Sequence, residues 1–394
     1  MMPVLRRAFS LAARVFGRPA DPKSQVIVLP PTHAPSRGTV ALSYLIDCFD
    51  GEHATHYHTN RWECHAIARA LTDAGFRVEA VDFNNHLYRP PVDCVLVFDI
   101  HSNLERFAPM VSAGTKKLLH ATGAHWLFQN RAELARLEAL RLRRGATLPP
   151  RRQVPPSRGI EVADLATTTG NRFTIETFAF ARKPIHRIPL SSTYTQDWPG
   201  EKNFSALRTR FLWFGSHGLV HKGLDLVLEA FVQTPELQLT IAGPVSSEPD
   251  FMETYRRELA LPNVRLLDWV DTGSPAFRTL LAEHGAIVYP SCSEGGGGSA
   301  ITCMHGGLIP IVTREASVDT EDFGVELREA SVAAIVESVR RVAAFSPTEF
   351  ATRSRATWEF ARRQHTRENF DRTFRSFISE VLQVPAPRQA NLPA

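Results

Sequence analysis

The sequence predicts an α/β fold with two doubly wound parallel sheets facing a cleft, and three observations carry this. From Gly38 onward, short apolar runs alternate with longer amphipathic stretches, and strands separated by helices pair in parallel. Residues 191–206, beginning Ser-Ser-Thr-Tyr-Thr-Gln-Asp-Trp-Pro-Gly, break the alternation. A second alternating unit follows, so the chain reads as two lobes with one linker. The crevice outside the carboxyl ends of such strands is the default ligand site.

In the first lobe, residues 39–45 read as a strand. Residues 60–74 read as a helix, with Ile67, Ala70 and Leu71 on one face and Gly75 as its stop. Strands are expected over 76–83, 94–100 and 117–120, a helix over 132–143, and strands over 165–168 and 186–189. The Pro/Arg-rich stretch 149–158 reads as a surface loop. In the second lobe, strands are expected over 210–214, 237–242, 264–267, 286–290 and 309–313. Helices at 223–233, 250–259, 275–283 and 299–305 alternate with them. This order divides the chain into an N-terminal segment (1–21), a first domain (22–195), a linker (196–206) and a second domain (207–345). C-terminal helices (346–383) and a disordered tail (384–394) complete it.

Composition narrows the class. With 394 residues, 43% hydrophobic and 22% charged, the chain suits two or three soluble domains, not a disordered, collagen-like or polytopic membrane protein. No apolar run approaches the roughly 18 residues of a spanning helix. The net charge of +4 is diffuse, which suits anionic small molecules or a membrane surface as well as nucleic acid. Cys48, Cys64, Cys94, Cys292 and Cys303 are scattered and form no C-x-x-C pair, so buried reduced thiols are expected. In residues 1–18, Leu5, Phe9, Ala12 and Phe16 form one helical stripe opposite Arg7, Arg14 and Arg18. This pattern fits a basic amphipathic helix on an anionic membrane; a frayed extension and an organellar presequence are the rival readings.

Two segments carry chemistry. Ala286-Ile287-Val288-Tyr289-Pro290-Ser291-Cys292-Ser293-Glu294-Gly295-Gly296-Gly297-Gly298-Ser299 runs from a buried strand through a carboxylate and four glycines to a helix, with Ser299 as its expected cap. Glycines let a ligand approach the backbone, and free N–H groups at a helix start attract anions. Glu294 is placed to accept hydrogen bonds from sugar hydroxyls; the rival reading is a flexible turn. In Phe211-Leu212-Trp213-Phe214-Gly215-Ser216-His217-Gly218-Leu219-Val220-His221-Lys222-Gly223, a strand runs into a loop with Lys222 at the mouth of a helix. A Lys charge and helix amides suit a pyrophosphate. The spacing matches neither a P-loop nor G-x-G-x-x-G.

Taken together, these segments make the second half resemble the nucleotide-sugar domain of family 4 glycosyltransferases, which have two Rossmann-like domains (GT-B). The resemblance lies in Lys222-Gly223-Leu224-Asp225 with Leu228-Glu229-Ala230-Phe231, Leu239-Thr240-Ile241-Ala242-Gly243-Pro244, Asn263-Val264-Arg265-Leu266-Leu267 and Pro290-Ser291-Cys292-Ser293-Glu294-Gly295. Met304, Gly307 and Pro310 continue it. It covers about residues 207–345, whereas the first half fits in layout only.

The resemblance implies retaining transfer of a sugar from a nucleoside-diphosphate donor to a glycan or lipid-linked acceptor, as in polysaccharide biosynthesis. It implies Lys222, with Gly215 and Ser216, at the diphosphate, and Glu294 at the donor sugar. The amides of Gly295, Gly296, Gly297 and Gly298 with Ser299 serve sugar and phosphate, and the base lies near Trp269 and Val270. His120 is implied at the anomeric centre, with His101 as a second candidate. Three departures stand against it. Thr302 occupies the place of a second Glu that binds ribose, and the loss of a charge-assisted bond costs roughly 1.5–3 kcal/mol. No Arg precedes Lys222 in the usual region, where Ser216 and His217 stand. The first lobe lacks a Gly-Gly loop, and residues 47–61 are rich in His and Asn instead.

No metal or other cofactor is expected: there is no D-x-D and no ligand cluster of recognised spacing, and His53, His56 and His58 read as a solvated loop. No carboxylate pair marks a double-displacement glycosidase. A cytoplasmic enzyme, with peripheral membrane contact through residues 1–18, is the leading expectation. A catalytically degenerate sugar-nucleotide-binding or scaffolding protein is the alternative. A sugar-nucleotide epimerase ranks lower, and a nucleic-acid partner is not expected.

Overall fold

The computed structural model describes residues 24–49, 59–192, 194–198, 200 and 202–383. The stripe at 1–18, the tail at 384–394 and the histidines at 53, 56 and 58 lie outside the described residues.

The first lobe is a seven-stranded sheet: β1 (Val26–Leu29), β2 (Thr39–Tyr44), β3 (Arg77–Asp82), β4 (Leu96–Asp99), β5 (Lys116–Ala121), β6 (Leu165–Thr168) and β7 (Ile185–Arg187). Their order is β1-β3-β2-β4-β5-β6-β7. Every pair is parallel except the edge strand β1, which runs antiparallel to β3. β1 was not foreseen: it is short, and Val26 and Val28 face outward, so no long apolar run marks it. Helix α1 (Thr59–Asp73) packs on this sheet. Helix α2 (Trp126–Arg144) starts before the expected residue 132, because its N-cap His125 offers no side-chain cap to announce it.

The second lobe holds β8 (Arg210–Phe214), β9 (Gln238–Ala242), β10 (Val264–Leu267), β11 (Ala286–Tyr289), β12 (Ile309–Val312) and β13 (Val325–Glu326), in the order β10-β9-β8-β11-β12-β13. All pairs are parallel. Counted within the lobe this is 3-2-1-4-5-6, which reverses between β8 and β11 and opens a crevice at their carboxyl ends. Helix α3 (Leu224–Val232) follows β8, and α4 (Gly298–Met304) follows β11. The helix expected over 250–259 is instead two helices broken at Tyr255, whose ring stacks 4.8 Å from Phe251.

Two elements cross between the lobes. Helix α5 (Pro347–Gln364) stays with the second lobe, where Phe350 and Phe360 are buried. Helix α6 (Arg367–Val381) returns to the first, burying Phe370, Phe374, Phe377 and Ile378 in its core. Each such side chain contributes roughly 1.5–3 kcal/mol. Conversely, Leu140 of α2 is fully buried in the core of the second lobe. The five cysteines are all buried and free. Among the described residues, no helix is long and apolar enough to cross a membrane.

Candidate functional site

The crevice at the β8/β11 reversal receives one chemical group from each loop. β8 ends at Phe214, and the chain turns through Gly215–Gly218 to Lys222; β11 ends at Tyr289 and leads to Glu294. Lys222 Nζ lies 2.7 Å from Glu294 Oε1 and 2.8 Å from the Tyr289 hydroxyl. The Tyr289 and Ser291 hydroxyls donate to the same Oε1, at 2.7 and 2.9 Å. Thus the cation and carboxylate expected at one site do meet, as a buried ion pair, with only 4% and 14% of their side chains exposed.

Electrostatics keep Glu294 ionised. Burial alone would raise the Glu294 carboxyl, but Lys222, followed by His221 and Arg152, holds it at about 2. Burial brings the His221 imidazole down to about 4 against the pull of Glu294, so it is neutral, and its Nε2 is 2.7 Å from the Ser293 carbonyl. Burial and then Glu294 push the Tyr289 hydroxyl well above its ordinary value, so it stays a donor. With Oε1 taken, Glu294 Oε2 has no bond among the described residues. One of the three Lys222 N–H donors is likewise unused by these two bonds.

The glycine turn is shaped by its neighbours. Gly297, at φ 48°, is the N-cap of α4, so Ser299 lies inside the first turn; the expected Ser299 cap is thereby corrected, since glycine tolerates this backbone where serine is strained. A Cβ on Gly295 would stand 2.2 Å from the Thr122 carbonyl oxygen of the first lobe. Thr169 Oγ1 donates to the Gly295 carbonyl at 2.6 Å. The turn is therefore one of the places where the lobes touch, and a side chain at residue 295 would press on the first lobe there.

The other expected residues are more scattered. Thr302 Oγ1 bonds back to the Gly298 carbonyl at 2.7 Å, inside its own helix. Trp269 is 69% exposed, and Val270 is partly buried against the second-lobe cluster that holds Phe277 and Tyr289. Gly215 is buried and Ser216 half-buried on the β8 turn. His120 makes its contacts elsewhere. It lies within β5, fully buried, with Nδ1 2.7 Å from Thr167 Oγ1 and Nε2 unpaired, and burial brings it down to about 3. His101 follows β4, and its carbonyl accepts from Ser157.

Several residues were not foreseen. Glu248 accepts from the N–H groups of Gly218 (2.6 Å) and Leu219 (3.3 Å), so a carboxylate already occupies that part of the β8 turn. Arg136 of α2 donates twice, at 3.1 Å, to the Pro290 carbonyl. The cavity among Glu133, Leu148, Arg151, Gly218, His221 and Glu248 holds only about 10 Å³, room for one water at most. Tyr289 alone had a local signal, as the last residue of the strand entering the turn. Among the described residues, no group of three or more His, Cys, Asp or Glu side chains could hold a metal ion.

Residues 208–344 match the family described as "Glycosyl transferases group 1". A comparison with curated protein sequences finds no match. Among solved structures, the chain is similar to Anabaena HepE, solved with UDP and glucose, at TM-score 0.54 and 12% identity, covering 88% of this chain and 99% of that one. It is similar to a trehalose-6-phosphate synthase at TM-score 0.51 and 11% identity, covering 85% and 81%. It is also similar to S. aureus TarM, at TM-score 0.51 and 10% identity, where it covers 71% of this chain but spans only 54% of that one. At such identities the likeness is one of fold.

Proposed function

We propose that the chain transfers a sugar from a nucleoside-diphosphate sugar to an acceptor hydroxyl, with retention at the anomeric carbon, on the premise that residues 208–344 match the group 1 glycosyl transferase family and form the second lobe of a GT-B fold. One observation carries the reading: Lys222 and Glu294, from the two loops at the strand-order reversal, meet at 2.7 Å. Glu294 Oε2 accepts a hydroxyl of the donor sugar. The remaining Lys222 N–H and the glycine-turn amides face the diphosphate, where developing charge is stabilised by fixed donors. The anomeric carbon–oxygen bond to the diphosphate breaks as the bond to the acceptor oxygen forms on the same face. The acceptor's proton passes to the departing phosphate oxygen.

The acceptor in this reading is a glycan or lipid-linked glycan at the cytoplasmic face, with residues 1–18 resting on the membrane. The structures solved with UDP support a nucleoside-diphosphate donor. The test is nucleoside diphosphate released from a panel of sugar nucleotides, by the native protein and by Glu294→Ala. Loss of release in the variant is expected, and unchanged turnover removes Glu294 from the reaction.

A second reading, a sugar-nucleotide-binding protein without turnover, is favoured by the Thr302 hydroxyl being committed to Gly298 and by Glu248 occupying the Gly218 and Leu219 amides. Tight nucleotide binding in calorimetry with no transfer to any acceptor supports that reading.

A further inference from the structure

Lys222 is a poorly placed anchor for a whole diphosphate. Its ammonium is nearly buried and spends two of three donors on Tyr289 and Glu294. A diphosphate carries more than one negative charge, so a second cation is needed where the ligand can reach it. The first lobe offers one, in the stretch that the sequence marked only as a surface loop.

That loop is stapled along one side of α2. Glu133 Oε1 accepts from the backbone N–H groups of Arg151 (2.9 Å) and Arg152 (2.8 Å), and its Oε2 from Gln153 Nε2 (2.7 Å). Gln129 donates to the Arg152 carbonyl at 2.6 Å. Asn130 exchanges two hydrogen bonds of 2.8 Å with the backbone of Val154. Arg151 points away to an ion pair with Asp250. Arg152 points inward. Its stem lies against Gly218, where a Cβ would come within 2.5 Å of Arg152 Cγ. Its charge acts on both Tyr289 and Glu294. Its guanidinium has no hydrogen bond or ion pair among the described residues, although the backbone on both sides is fixed, and the residue is exposed.

We propose that Arg152, carried across the cleft by the stapled loop, is the second phosphate-binding cation of the donor site, gripping the diphosphate together with Lys222. This rests on the donor-site reading given above. Guanidinium suits the role because its planar fork matches two phosphate oxygens, and the backbone staples supply the ordering in advance. Because Arg152 belongs to the first lobe, diphosphate would tie the lobes together, coupling donor binding to the interlobe contact.

The experiment is calorimetry with UDP, ADP and GDP, then with the monophosphate of whichever binds, on the full chain. For Arg152→Ala we expect diphosphate affinity to fall tenfold to a hundredfold and monophosphate affinity to change less than threefold. Arg152→Lys should recover part of the loss. Arg151→Ala should bind like the native protein, and Arg152→Ala should remain folded at the assay temperature, because no hydrogen bond or ion pair among the described residues is lost with its guanidinium. Equal diphosphate affinity in Arg152→Ala, or equal weakening of mono- and diphosphate, overturns the assignment. Failure of the native protein to bind any of the three nucleotides overturns the donor-site reading itself.

Discussion

The two lobes treat the polar groups at their sheet reversals in opposite ways. In the second lobe, at β8/β11, Lys222 and Glu294 Oε1 are satisfied by each other and by Tyr289 and Ser291, and the orphaned atoms beside them, His221 Nδ1 and Ser293 Oγ, are uncharged neighbours of that pair. In the first lobe the order reverses between β2 and β4, and buried groups around the carboxyl ends of its strands are left short. The Tyr44 hydroxyl, Glu63 Oε2, Asp99 Oδ1 and His120 Nε2 are buried without partners among the described residues. Burial pushes the Glu63 carboxyl up to about 8, against the donated Ser191 N–H. Removing a polar atom from water without a partner costs about 1–3 kcal/mol. The lesson is that one reversal is held by charge pairing, and the other survives by staying neutral.

The sharpest way to break the contrast is to remove half of the ion pair. Lys222→Met should cost about 3–5 kcal/mol in denaturant unfolding, because it leaves Glu294 buried and uncompensated; Lys222→Met with Glu294→Gln should recover much of it. The pair also sets an acid limit. The Glu294 carboxyl is held at about 2 in the fold, so its contribution is present above the ordinary carboxylate range and is lost as pH falls from about 4.5 through 2. Lys222→Met should flatten that slope.

The first lobe should show the reverse sign. Folded Glu63 holds its proton to about 8 while the unfolded chain releases it near 4.5, so stability falls as pH rises across that window. Glu63→Gln should therefore stabilise the protein by a few kcal/mol at pH 8, with the gain vanishing toward pH 4.5. An unchanged melting difference between the two pH values would show that Glu63 does not titrate in this way.

Smaller effects test the contact between the lobes. Gly295→Ala forces a methyl to within 2.2 Å of the Thr122 carbonyl oxygen and should cost about 1–3 kcal/mol, with turnover falling more than stability alone explains. At the bottom of the scale, Thr302→Val should leave nucleotide affinity within twofold, since the lost hydroxyl serves Gly298, and stability within about 0.5 kcal/mol.

Much of the second lobe was legible because its signals are local. Strands 210–214 and 264–267 have the expected bounds, the first as a run buried from Phe211 to Trp213 and the second as a short edge strand between turn residues, with Arg265 and Leu266 exposed. Lys222 and Glu294 stand out because each follows such a run. Arg152, Glu133, Arg136 and Glu248 were not legible, since what gives each its place lies far along the chain or on the other lobe. Glu133, for example, means nothing until its loop folds back onto it across 18 residues. Edge strand β1 escaped notice because alternate valines face outward, and α2 began early because no capping side chain announced it.

The last helix changes what a fragment of this protein would be. Because Phe370, Phe374, Phe377 and Ile378 complete the core of the opposite lobe, a piece ending at residue 206 would open an oily seam along its sheet. A piece starting there would carry an aromatic stripe with nothing to cover it. Each half expressed separately should thus clump or cling to chaperones, whereas co-expression should let the strap find its groove and restore a soluble pair.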